Sequence, residues 1–129
     1  MAIYLMDKTY RITNSGGTSA GRVVCAGMST GQCTLPAAAN AGKILGVTVT
    51  SQPELGRGIS VRKAGIADVI AAGVIPAGAP LNIADATGRV KAVNEATGTK
   101  VQCLGFAETS STQAGDVIEV FISIHERTT

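Results

Sequence analysis

Nucleophilic and acid–base chemistry needs histidine, cysteine or carboxylate groups brought together, and this chain of 129 residues has few to bring. It carries one histidine, His125, beside Glu126 and Arg127, and three cysteines, Cys25, Cys33 and Cys103. A Cys–His pair would need one of those thiols next to His125, whereas the alternation around Cys33 turns it towards an inner face. One histidine with no clustered cysteines or carboxylates offers too few ligands for zinc, so neither a metal nor a cofactor is expected. Gly42-Lys43 lacks the Ser or Thr that follows the lysine of a phosphate loop, and Ala37 stands where that motif has its first glycine.

Asp85-Ala-Thr-Gly88 is similar only in part to the catalytic loop of an aspartic protease. That chemistry needs two carboxylates sharing a proton, and the Asp-Thr/Ser-Gly order is broken here. The first-half counterpart of Asp85 is Met28, so one chain supplies one carboxylate and only a dimer could pair two. The plainer expectation is a turn residue whose carboxylate caps backbone NH groups. No enzymatic activity is expected.

The elements that would hold these residues are strands. Short runs rich in Val, Ile and Thr alternate apolar and polar positions and are cut by glycine turns. Strands are expected from Thr9 to Thr13, Arg22 to Gly27, Gln32 to Leu35, Lys43 to Thr50, Ile59 to Lys63 and Ile66 to Ala71. Others carry Leu81 with Ile83, Val90 with Ala92, Val101 to Ala107 and Asp116 to Ile124. Leu45, Val47 and Val49 are expected to share one face. A helix over Ile66 to Ala72 is disfavoured by its β-branched residues and flanking glycines. The fold class that follows is all-β, a small barrel or sandwich of about ten short strands with an extended N-terminal arm.

The two halves resemble each other. Ala20-Gly21 recurs as Ala77-Gly78, Thr30-Gly31 as Thr87-Gly88 and Gly16 as Gly73, at a spacing of 57 residues. Further on the spacing is 59: Leu45-Gly46 recurs as Leu104-Gly105, and Gly56 to Ile59 as Gly115 to Ile118. An insertion of two residues in a strand keeps every side chain on its face. The expected organisation is an arm over residues 1–8 and a single β domain over 9–129, with pseudo-repeats over about 10–63 and 67–122.

Composition narrows the partners. The net charge is +2 with scattered basic residues, and there is no tryptophan and only two each of Phe and Tyr. A nucleic-acid binder would carry a basic stripe with stacking aromatics, so no direct nucleic-acid contact is expected. The apolar run from Ala2 to Met6 is too short for a membrane span or a signal-peptide core. With an odd number of cysteines in no redox spacing, synthesis in the cytoplasm is the expectation.

Several segments resemble the capsid cement, or head-decoration, proteins of tailed bacteriophages. They are Lys43-Ile-Leu-Gly-Val47, Ala71 to Gly78 leading into Leu81, Asp85-Ala-Thr-Gly-Arg-Val90, Cys103-Leu-Gly-Phe-Ala107 and Ala114 to Val120. Ala79-Pro80 departs from the pattern, where a polar residue more often follows the glycine. The resemblance implies a virion protein on the outer capsid surface that clamps neighbouring capsomers against internal DNA pressure. Its implied partners are the major capsid protein and other copies of itself, as trimers or as dimers. An arm that adds a strand to a partner would place Ile3, Tyr4, Leu5 and Tyr10 as capsid or subunit contacts. The alternative is a β-module of a tail or fibre accessory that binds carbohydrate or a host surface, with Tyr4 and Tyr10 as its only tyrosines.

Overall fold

Alternating β-branched and polar residues, interrupted by glycine turns, produce one strand per run, and these strands close on themselves. The computed structural model describes residues 5–129. Its strands are β1 (Met6–Ile12), β2 (Val23–Ala26), β3 (Gln32–Thr34), β4 (Ile44–Thr48), β5 (Gly58–Ile70), β6 (Pro80–Ile83), β7 (Val90–Ala92), β8 (Lys100–Ala107) and β9 (Val117–Thr128). There are nine because the expected strands Ile59 to Lys63 and Ile66 to Ala71 join as β5, a 13-residue strand that passes through Gly65 at φ 95°. A glycine tolerates that left-handed backbone, so the chain bends without ending the strand. No helix is present among the described residues, and none is long and apolar enough to cross a membrane.

The first half closes a five-stranded barrel in the order β1-β3-β2-β4-β5, with β5 returning to β1. Only the β1–β3 contact is parallel. β1 begins at Met6, ahead of the expected Thr9. Met6 to Lys8 pair with β5 because that strand runs past Arg62 and offers them an edge. The proposed arm is therefore sheet from Met6 onward, and its residues 1–4 lie outside the described residues.

The second half repeats the same ladder. Tyr10 pairs with Ile59 as Val69 pairs with Ile118, and the parallel bridge Ile12–Cys33 recurs as Ala71–Val90. Val24 opposes Gly46 as Leu81 opposes Gly105. Thr18–Gln52 recurs as Ile75–Ser111. Tyr10 thus corresponds to Val69, at a spacing of 59, whereas Val24 and Leu81 are 57 apart. The loop at Asn14 to Gly17 holds the two residues that the second half lacks.

Both barrels have matched interiors. Tyr10, Ile12, Val24, Cys33, Ile59 and Val61 form one cluster. Their counterparts Val69, Ala71, Leu81, Val90, Ile118 and Val120 lie in the other. This larger cluster also takes in Val23, Cys25, Ile44 and Val47 from the outside of the first barrel, so the two halves share a core.

Leu45 and Val47 do not share a face as expected. β2 and β4 shift register between Val24 and Cys25, which leaves Leu45 as an extra residue in β4. This bulge interrupts the alternation. Leu45 packs against the interior of the first barrel while Val47 belongs to the shared core. The same shift recurs between Leu81 and Asn82, sending Leu104 inward and Phe106 outward.

Candidate functional site

The candidate nucleophilic and acid–base groups are buried or bound into local hydrogen bonds. All three cysteines are buried free thiols. Burial pushes the Cys25 and Cys33 thiols up to about 11, and raises Cys103 as well, which keeps them protonated near neutrality. Cys103 lies opposite His125 in the β8–β9 ladder. The imidazole, however, stacks on Phe106 at 5.3 Å between centroids and 12° between planes, with Nδ1 2.6 Å from the Ser123 carbonyl oxygen. No hydrogen bond joins the Cys103 thiol to that ring among the described residues.

Asp85 closes a turn, as its position implies. Its carboxylate accepts from the Thr87 backbone N–H at 3.0 Å and from Arg89 Nε at 2.8 Å. Partial burial raises its pKa, but the hydrogen bonds from Thr87 and Arg89 outweigh that and hold it below the ordinary value. Met28, its counterpart, is fully exposed. The described residues contain no group of three or more His, Cys, Asp or Glu placed to hold a metal ion.

Of the expected contact residues, Ile3 and Tyr4 lie outside the described residues. Leu5 is 49% exposed and borders a shallow depression shared with Arg62, Ile66, Ala67, Asp68 and Glu119. Tyr10 is an interior residue of the first barrel at 6% exposure. Its hydroxyl accepts a hydrogen bond from Lys63 at 2.7 Å, and Lys8 and Lys63 both sit over its ring at 5.3 Å. A surface contact through that side chain would require β1 to detach.

The surface feature that stands out is an apolar row across the second barrel. Ile66, Phe121, Phe106 and Pro80 are successive cross-strand partners on β5, β9, β8 and β6. Partners directly opposite in a ladder project from the same face. Ile66 is 40% and Phe121 46% exposed, while Phe106 is partly covered by His125 and by Arg127, whose guanidinium lies 5.9 Å from its ring. Both phenylalanines of the chain stand in this row. Asp68 and Glu119 face each other beside it.

Alternation along β9 sets Val117 and Phe121 opposite Ile118, Val120 and Ile122, which puts apolar groups on both of its faces and marks Phe121. The exposure of Ile66 beside it had no such signal, because it depends on pairing with a strand about fifty residues away.

No family model and no curated protein matches the sequence. The fold has a counterpart. It is similar to the crystal structure of the head fiber gp8.5 N base in bacteriophage phi29, with a TM-score of 0.63 and 20% identity over 93% of this chain and 95% of that one. The likeness establishes a shared architecture over almost the whole of both chains.

Proposed function

We propose that this chain is a structural protein of a tailed-bacteriophage virion that sits on the outer surface of the head and cements neighbouring capsomers. The observation that carries this reading is the end-to-end likeness of fold to the base of a phage head fiber. The cement-protein pattern in Lys43 to Val47, Ala71 to Gly78 and Cys103 to Ala107 supports it independently. The partners are the major capsid protein and other copies of this chain, as a homotrimer or a homodimer. Attachment uses neither nucleic acid nor membrane, and the role is non-enzymatic.

A second reading is favoured by the same neighbour, which is the base of a fiber: an accessory that carries or attaches a receptor-binding element. One experiment separates the two. Expanded heads lacking this protein are mixed with the purified chain, imaged by cryo-electron microscopy and tested for rupture under osmotic shock. A cement protein saturates symmetry-related outer sites and raises the survival of the heads. Saturation with no gain in survival supports the fiber-base reading. Density absent, or confined to the inner surface, rejects head attachment altogether.

A further inference from the structure

The repeat provides an internal reference for the exposed apolar row. In the first barrel the same four positions are Asp7, Arg62, Val47 and Val23, again successive cross-strand partners. Val23 and Val47 are fully buried in the core that the first barrel shares with Ala67, Ile83 and Ile122 of the second half. Where the row leaves that contact it ends in an ion pair. Arg62 donates from Nε to Asp7 Oδ1 at 2.9 Å and from Nη2 to Asp7 Oδ2 at 3.2 Å. The first barrel therefore buries the apolar part of its row against another barrel and gives water a charged pair.

The second barrel reverses the ending. Ile66 stands at the position of Asp7 and Phe121 at that of Arg62, in the same Cα pairing. Leu5 extends the apolar surface at the depression beside Ile66. A partly exposed aromatic and aliphatic pair at positions that otherwise carry an ion pair is the composition of an interface centre.

We infer that the row Ile66–Phe121–Phe106 is a self-association surface, covered by a barrel from a second copy of this chain. The occupant follows from the interface already inside the chain: the material that covers Val47 and Val23 of this row in the first barrel is a neighbouring barrel of the same architecture. Head-to-tail repetition of that contact closes a ring of copies, and a two-fold contact of the row with itself closes a dimer. The inference deepens the proposed function by naming the surface that joins its copies.

The test needs no heads, so its failure is distinct from failure of head attachment. Sedimentation equilibrium is run on the full chain over a wide range of concentration. The double substitution Ile66→Asp with Phe121→Arg transplants the ion pair of the first barrel, and Ile66→Thr with Phe121→Gln is a milder version should the first fail to fold. Val74→Asp alters an exposed apolar residue elsewhere in the chain. The expected result is a wild-type mass that rises with concentration to an integer multiple of the monomer. Both double variants should remain monomeric with an unfolding midpoint close to wild type, and Val74→Asp should associate normally. A monomeric wild type at every concentration overturns the inference, as do double variants that associate like the wild type. A monomeric wild type whose binding to heads is lost in the double variants also overturns it, and assigns the row to the capsid.

Discussion

Asn82 takes the place in the second half that Cys25 holds in the first, and it imports a polar network into a buried layer. Its amide donates to the two carboxylate oxygens of Glu95 at 2.7 and 3.2 Å, and the Lys91 ammonium reaches the same carboxylate and Asn94 Oδ1. Burial pushes the Glu95 pKa up, yet the hydrogen bonds from Lys91 and Asn82 win and hold it below its ordinary value. A depressed carboxylate stabilises the fold above its unfolded pKa, and that contribution is lost as pH falls from about 4.3 through the folded value. Asp7, held low chiefly by its hydrogen bond from Arg62, acts with the same sign. Glu95→Gln should therefore lower the unfolding midpoint near neutrality and flatten its fall below about pH 4.5. Thermal melts across that range check this, and parallel pH profiles for variant and wild type would reject it. That Glu95 would be part of this network was hidden in the sequence, where it reads as an acidic loop residue.

At the scale of the element, the two Leu-Gly pairs matter more than their composition suggests. Gly46 and Gly105 lie in bulged strands where a methyl group would overlap the backbone carbonyl oxygen of Arg62 and of Phe121 respectively. Backbone cannot retreat as a flexible side chain would, so Gly46→Ala and Gly105→Ala should each cost about 2–4 kcal/mol. Gly31, at φ 82° with open space around its Cα, is the control. There Ala meets only the unfavourable backbone conformation, about 1 kcal/mol. Chemical denaturation of the three variants measures the contrast, and equal losses at Gly46 and Gly31 would remove the close-approach argument. The recurrence of Leu-Gly was legible in the sequence. The separation of Leu45 from Val47 was not, because a bulge is defined only by the strand across from it.

At the scale of the molecule, one apolar cluster runs from Val23 and Val47 of the first barrel to Ile118 and Ile122 of the second, and β5 belongs to both. The halves should unfold in one step, with calorimetric and van't Hoff enthalpies in agreement. Leu81→Ala, at a fully buried position of the second barrel, should cost about 2–5 kcal/mol. It should lower the protection of the slowest amides of β1 and β9 together. Loss confined to β9 in hydrogen exchange would show that the barrels open separately.

The all-β class, most strand positions and most turns were determined by sequence alone, since local alternation and glycine placement set backbone conformation within a few residues. Asp85 belongs with these, because its carboxylate bonds no farther than Arg89. Closure of the barrel was a matter for tertiary structure, since β1 meets β5 across some fifty residues of chain. So was the burial of Tyr10, which sequence places in the strand Thr9 to Thr13 and offers as a capsid or subunit contact. The row at Ile66 and Phe121 was decided in the same way. Each is an ordinary strand residue until ladder pairing sets the two side by side, and only the fold leaves them facing water.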